Sequence, residues 1–373
     1  MVAAMSGGVD SSVAAWILRE SGFEVLGLFM RNGVKLDPTE AHKKSCCSLT
    51  DARDARMVSA FLGLPFQAVD LSGEFGGLIE HFVSEYQRGR TPNPCAICNR
   101  DLKMGRLLDF AQDLDAVAVA TGHYARLEVL DGRVHLYRGV DTHKDQSYQL
   151  FSVPEAQLAR TLFPLGDLEK PKVREMARHA GLRTSQKADS QEVCFVPSNN
   201  YRELLEQRGT PLHPGLIVDS QGKQLGTHEG TEHFTIGQRR GLRIASGRPL
   251  YVLEILPAEG LVIIGDREEC KATSMVVEDL NWIGIEPGTQ IECSVQHRYH
   301  CTPAKAVVRR EGERAQVDFL EPQMSVTPGQ GAAFYWQDRL IGGGWIASTT
   351  RMGIAAAEGP SEESVAAPAQ EGQ

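Results

Sequence analysis

The stretch Val2-Ala3-Ala4-Met5-Ser6-Gly7-Gly8-Val9-Asp10-Ser11-Ser12-Val13-Ala14-Ala15-Trp16-Ile17-Leu18 decides the fold of the amino-terminal half. Val2 to Met5 is a short apolar run with the character of a strand. Ser6 to Ser12 places two glycines among hydroxyl residues, and the apolar spacing from Val13 to Leu18 suits a helix that stops at Gly22. A strand, a glycine-rich loop and a helix in that order let backbone N–H groups and a helix N-terminus surround phosphate oxygens. The loop lacks the lysine of a Walker motif.

Working outward, Phe23 to Met30 reads as the next strand, Asp51 to Leu62 as a helix ended by Gly63, Phe66 to Asp70 as a third strand and Asp115 to Ala120 as another. Strands alternating with helices predict an α/β domain whose parallel sheet is covered on both faces, with ligands at the carboxyl ends of its strands. The Ser6 loop lies there. Beyond about Tyr201 the pattern turns to short β-rich runs, such as Leu250 to Ile255, Leu261 to Ile264, Gln290 to Gln296, Ala304 to Val308, Ala315 to Phe319 and Gly331 to Tyr335. The expected division is a catalytic domain over 1–204, a small central domain over 205–268, a β-barrel over 269–350 and a disordered tail over 351–373.

The chain has 373 residues, too many for one core, with 42% hydrophobic and 23% charged residues. Wholesale disorder, a collagen-like repeat and a coiled-coil rod are excluded. No run of about 18 apolar residues occurs, so the expectation is a cytoplasmic protein with no membrane partner. The net charge of −9 argues against an indiscriminate grip on polyanions. Two local clusters run against it. Between residues 87 and 108, Arg88, Arg90, Arg100, Lys103 and Arg106 face the single acid Asp101, and Arg239, Arg240, Arg243 and Arg248 follow with no acid among them. Eight cysteines in such a chain point to metal binding or thiol chemistry rather than a disulfide scaffold.

Ser6 to Ser12 resembles the pyrophosphate loop of enzymes that split ATP into AMP and pyrophosphate, in which the aspartate, here Asp10, would help to hold Mg²⁺. Asparagine, argininosuccinate, GMP and NAD synthetases look similar here, as do tRNA thiolases. The remaining motifs choose among them. They are Thr91-Pro92-Asn93-Pro94 with Cys98-Asn99, Ala120-Thr121-Gly122-His123-Tyr124, Lys144-Asp145-Gln146-Ser147-Tyr148, the segment around Cys194, Thr235-Ile236-Gly237-Gln238-Arg239, Arg298-Tyr299 and Pro328-Gly329-Gln330. With them the chain resembles the bacterial tRNA-specific 2-thiouridylase family over about residues 1–350, in a variant with Cys-x-x-Cys where the commoner motif has Asp-x-x-Cys.

The resemblance implies an adenine nucleotide alpha hydrolase-like catalytic domain, a small central domain that contacts tRNA and a C-terminal barrel. It implies an enzyme that adenylates the C2 oxygen of the wobble uridine of tRNA and replaces it with sulfur. ATP would be bound by Ala4, Met5, Ser6, Gly7, Gly8, Val9, Asp10, Ser11 and Ser12, with Met30 and Gly122. Asn93, Pro94 and Cys95 would border the target base, and His123, Lys144, Asp145, Gln146, Arg298, Tyr299 and Gln330 would contact tRNA. Cys194 would carry a persulfide from a sulfur-donor protein, while Cys98 would assist and end in a disulfide with it. The arginines and the lysine near Cys98 suit a thiolate of lowered pKa.

Cys95 stands where the commoner motif has an aspartate. Cys95, Cys98 and Cys194 could therefore hold three irons of a [4Fe–4S] cluster whose fourth iron carries free sulfide, which is the favoured reading over a metal-free persulfide. Two other functions stay open: a pyrophosphate-loop ligase that amidates a small metabolite, and a non-catalytic tRNA-binding protein. The latter would hold structural zinc on the Cys-x-x-Cys pair, with His123, His143 or His179 as further ligands. Cys46 and Cys47 sit in a loop after the second strand, and Cys270, Cys293 and Cys301 read as small buried hydrophobes.

Overall fold

A computed structural model describes residues 1–33, 49–189, 193–196 and 200–352. Cys46, Cys47, Ser190 to Glu192 and the tail from residue 353 lie outside the described residues. In chain order the first half forms β1 (Val2–Met5), β2 (Leu26–Arg31), β3 (Phe66–Asp70), β4 (Val119–Ala120), β5 (Ala125–Leu130), β6 (Arg133–Arg138) and β7 (Thr161–Leu162). A wholly parallel sheet runs in the order β3-β2-β1-β4-β7. Side chains alternate across it as the pleat requires. Val2 and Leu28 pack with Phe75, Phe82, Leu107 and Ala111 on one face, whereas Ala3, Met5 and Phe29 pack with Val13, Val58 and Val173 on the other.

Two expected strands are shorter in the structure. Phe23 still belongs to the helix end, where its N–H donates to the Leu18 carbonyl, so β2 begins at Leu26. The run expected over 115–120 is strand only at Val119–Ala120, because the helix Leu107–Asp113 closes through Asp115 at φ +54 and an Ala116 N–H bond to the Ala111 carbonyl.

The second half forms β8 (Gly215–Asp219), β9 (Gln224–His228), β10 (Tyr251–Leu256) and β11 (Leu261–Gly265), a sheet in the order β10-β11-β8-β9. Then come β12 (Lys271–Trp282), β13 (Gln290–Gln296), β14 (Ala304–Glu311), β15 (Arg314–Met324), β16 (Gly331–Trp336) and β17 (Arg339–Arg351). They pair in the order β12-β15-β14-β13-β16-β17, and β17 pairs back onto β12, which closes a six-stranded barrel. The β5–β6 hairpin of the first half adds to the outside of β17.

The barrel and the parallel-sheet half share one core. Tyr148, Leu150 and Phe151 from the first half pack with Ile283, Ala333, Tyr335 and Trp345 of the barrel, and Ala96 and Met104 of the cysteine segment join them. The cysteine motif is therefore seated directly on the barrel. No helix among the described residues is long and apolar enough to cross a membrane.

Candidate active site

The glycine-rich loop leaves β1 at its carboxyl end and enters the helix Val9–Glu20. Gly7 has φ +70, and a Cβ there would collide with the Asp51 carbonyl oxygen, so only glycine fits. Among the described residues no side chain caps the helix at Gly8, where its first N–H groups could take an anion. The loop's hydroxyls fix its own shape: Ser12 Oγ donates to the Gly8 carbonyl at 2.7 Å, and Ser11 Oγ accepts from the Ser6 N–H at 3.1 Å. Gly122, after β4, lies against the same turn, since a Cβ would stand 2.8 Å from the Ser11 nitrogen.

Charged side chains from the helix Lys170–His179 and the segment after it converge on this loop. Lys170 Nζ donates to both Asp10 oxygens, at 2.8 and 2.7 Å, and lies 2.9 Å from Asp189. The Tyr124 hydroxyl donates to Asp10 at 2.8 Å; burial and then the Asp10 carboxylate push that phenol's pKa up. Asp189 also accepts from Lys144 at 2.6 Å and Arg174 at 2.7 Å. Burial works against its charge, yet Lys144 and Lys170 outweigh it and hold the carboxyl at about 2. Lys187 Nζ donates to the Gly7 carbonyl at 2.9 Å, to Asp51 at 2.6 Å and to Asp54 at 2.8 Å, which pins the loop to the neighbouring helix.

The cysteine motif opens a long helix. Asn93 caps it by accepting from the Ala96 N–H at 3.3 Å, with Pro94 at the first helical position. From Cys98 to Arg106 the helix widens into a π-helical stretch, an uncommon form often found at functional sites. Cys95 is exposed, Cys98 buried and Cys194 half-buried. Cys98 and Cys194 belong to the same apolar cluster as Ala4 and Met30, at the carboxyl ends of β1 and β2. The basic residues nearby are largely matched by acids: Arg88 and Arg90 by Glu85, Arg100 by Asp101, and Arg106 by Glu74 and Asp109. Lys103 donates to Asn99 at 3.0 Å.

The residues expected to meet tRNA are placed unequally. Arg298 is exposed and Tyr299 half-buried, stacked on Tyr148 at 6.0 Å, and burial, then Asp145 and Cys95, push the Tyr299 hydroxyl up to about 12. His123 is buried, bonded through Nδ1 to Thr121 at 2.7 Å, and burial keeps its pKa well below the usual range. Asp145 is buried and occupied by Arg138, the Gly139 N–H and Ser147, while Gln146 accepts from the Tyr124 N–H. Gln330 Nε2 donates to the carbonyls of Thr91 and Pro92 at 3.0 and 2.9 Å, so it grips the cysteine loop. Cys270 is buried, and burial pushes the Cys293 thiol up to about 12, which suits an inert side chain.

Lys170, Lys187 and Asp189 were not singled out from the sequence. A lysine or aspartate in a charged helical run looks the same there whether solvated or folded onto a loop about 160 residues away. The Asp10 carboxylate, held here by Lys170 and Tyr124, is the loop group that would hold Mg²⁺, which takes its other ligands from phosphates and water. Among the described residues no three His, Cys, Asp or Glu side chains gather as a metal-ligand group. Cys95, Cys98 and Cys194 are the residues that would hold three irons of a cluster, and residues 190–192 and 197–199 on either side of Cys194 lie outside the described residues.

Residues 1–198 match the family described as tRNA methyl transferase HUP domain, 202–266 the tRNA methyl transferase PRC-barrel domain, and 272–346 the aminomethyltransferase beta-barrel domain. The tRNA-specific 2-thiouridylase MnmA of Geobacter metallireducens is 49% identical over 93% of this chain and 96% of its own. The protein of the same name from Geotalea uraniireducens is 48% identical over 93% and 94%, and that of Rhodopirellula baltica 42% over 93% and 96%. Identity of this extent along nearly the whole length of both chains means that the chain belongs to the tRNA-specific 2-thiouridylase family.

Proposed function

We propose that this chain is a cytoplasmic enzyme that replaces the C2 oxygen of the wobble uridine of tRNA with sulfur, converting ATP to AMP and pyrophosphate. The observation that carries the reading is the shared cluster: Cys98 and Cys194 lie in the same apolar cluster as Ala4 and Met30, residues at the carboxyl ends of β1 and β2. An activated base and a sulfur nucleophile can then meet in one mouth.

In the proposed sequence the N–H groups at Gly8 to Ser11 take the phosphates, and Asp10 would hold Mg²⁺, which would supply charge to offset that of the phosphates. The uridine leaves its stack to reach the loop that carries Asn93, Pro94 and Cys95, with exposed Arg298 beside the RNA backbone. Attack of the C2 oxygen on the α-phosphorus releases pyrophosphate. The outer sulfur of a persulfide on Cys194, loaded by a sulfur-donor protein, then attacks C2, and the C2–O bond electrons leave with AMP. Cys98 thiolate attacks the inner sulfur, which forms a Cys98–Cys194 disulfide and leaves the outer sulfur on the base. A dithiol reductant resets the pair.

The division into units over 1–204, 205–268 and 269–350 belongs to the same proposal. Incubation with Mg²⁺ and ATP, with and without tRNA, tests it. AMP and pyrophosphate are expected only with tRNA; ADP, or turnover indifferent to tRNA, would overturn the reading.

A further inference from the structure

We propose that the acidic segment over residues 353–373 docks on the arginine loop over residues 239–248 of the same chain and competes there with RNA. The docking stands on charge and position; the competition rests on the tRNA-directed function proposed above.

The loop carries Arg239, Arg240, Arg243 and Arg248, all exposed, with no acid between them. Arg239, Arg243 and Arg248 line a cleft of about 510 Å³ together with Leu242, Ile244 and Leu250. Among the described residues, Arg248 alone of the four arginines meets a carboxylate, that of Asp266 at 3.6 Å. The arginines beside the cysteine motif are instead matched by their own acids. In a chain of net charge −9, a positive cleft without acids of its own suits an anion that is brought to it. Residues 353–373 supply one. They hold Glu358, Glu362, Glu363 and Glu371 and no lysine, arginine or histidine, and they lie beyond the barrel-domain match, which stops at residue 346.

Position brings the two together. β17 ends at Arg351, whose buried guanidinium donates to the carbonyls of Leu253, in β10, and of Val326. Val252, next to Leu253, is bonded to the start of the arginine loop: its carbonyl accepts from the Gly237 N–H at 2.8 Å and its N–H donates to the Gln238 carbonyl at 3.0 Å. The acidic segment thus begins two residues past a side chain anchored beside the loop. A chain spans at most about 3.3–3.6 Å per residue, so Glu358 reaches about 20 Å from Met352 and Glu363 about 40 Å. Leu250, which lines the cleft, is three residues from Leu253, a span of about 10 Å.

Exposed ion pairs are individually weak and are screened by salt. Tethering compensates, because a linked segment acts at an effective concentration of about 1 mM; with a dissociation constant of about 0.2 mM it would weaken a competitor about sixfold. RNA phosphates suit the same arginines and are such a competitor.

The test uses the full-length protein and its E358Q/E362Q/E363Q/E371Q variant, first without RNA. At about 50 mM salt, trypsin is expected to cut the 239–248 loop about three- to tenfold faster in the variant, and at about 300 mM salt the two should be alike. Cleavage after Arg314, at the start of β15, should not differ. Equal cleavage of the loop at low salt overturns the docking. Filter binding of unmodified tRNA follows, and at about 50 mM salt the variant should bind about sixfold tighter. The control variant E311Q/E313Q/E321Q, which removes three exposed acids from the barrel, should stay within about 1.5-fold of wild type. A control that tightens binding as much as the tail variant does shows long-range repulsion in place of docking and overturns the proposal. Protection of the loop with unchanged tRNA affinity overturns the competition. Wild type that binds no tRNA would sink the proposed function, while the trypsin comparison still decides the docking.

Discussion

Replacing Gln330 with leucine removes the two hydrogen bonds by which the barrel holds the cysteine loop, from Nε2 to the Thr91 carbonyl at 3.0 Å and the Pro92 carbonyl at 2.9 Å. Each bond contributes about 0.5–1.5 kcal/mol net, so the pair is worth about 1–3 kcal/mol. The next residues along are Asn93, which caps the helix, and Cys95, so the loss falls on the placement of the loop beside the reacting base. At about 1.36 kcal/mol per decade of rate, thiolation should slow by about 5- to 150-fold. Affinity for tRNA should change by less than about twofold, because the amide is already engaged within the protein. Single-turnover thiolation, followed by retardation of 2-thiouridine-containing tRNA in a mercury gel, gives the rate, and filter binding gives the affinity. Gly329→Ala should act alike, since Gly329 has φ +89 and a Cβ would stand 2.8 Å from the Thr91 oxygen. Weakened tRNA binding with an undiminished rate at saturating tRNA would refute the reasoning and return Gln330 to the RNA-contact role.

Phe151→Ala empties the shared core, where the ring is fully buried and stands 5.0 Å from Trp345. It should cost about 3–5 kcal/mol in denaturant unfolding, and a loss below about 1 kcal/mol would mean that the two halves do not depend on this ring. Asp10→Asn should nearly abolish AMP formation while leaving tRNA affinity within about twofold; a lost affinity contradicts the role given to the loop. Burial, with Arg298 nearby, lowers the His297 pKa to about 4, below the unfolded value of about 6.5. The unfolded chain therefore binds the proton first, and stability should fall as pH drops from about 6.5 to about 4, by about 3 kcal/mol from this group. His297→Gln should flatten that slope in chemical denaturation, and an unaltered slope would contradict the burial argument.

What could be read from the sequence was local. The run from Val2 to Leu18 carries its strand, loop and helix in contiguous residues, and the structure places all three there. Cys98 and Cys194 were visible as motifs, but their common cluster is a product of packing. The arginines around Cys98 looked like an uncompensated patch because Glu74, Glu85 and Asp109 lie outside the motif and reach them only in the fold. The run Gly342-Gly343-Gly344, which was not singled out from the sequence, lies inside β17. There the Gly343 backbone passes so close to Phe151 that an added Cβ would stand 2.9 Å from its Cβ. Lys170 acquires meaning only from its distance to Asp10.

The most direct test of the central claim is the mass of the wobble nucleoside after unmodified tRNA is incubated with the protein, Mg²⁺, ATP and a persulfide donor. The account predicts exchange of one oxygen for sulfur at C2, matched by AMP and absent when Cys194 is replaced by serine. A methylated uridine, or an unaltered one alongside released AMP, would contradict it.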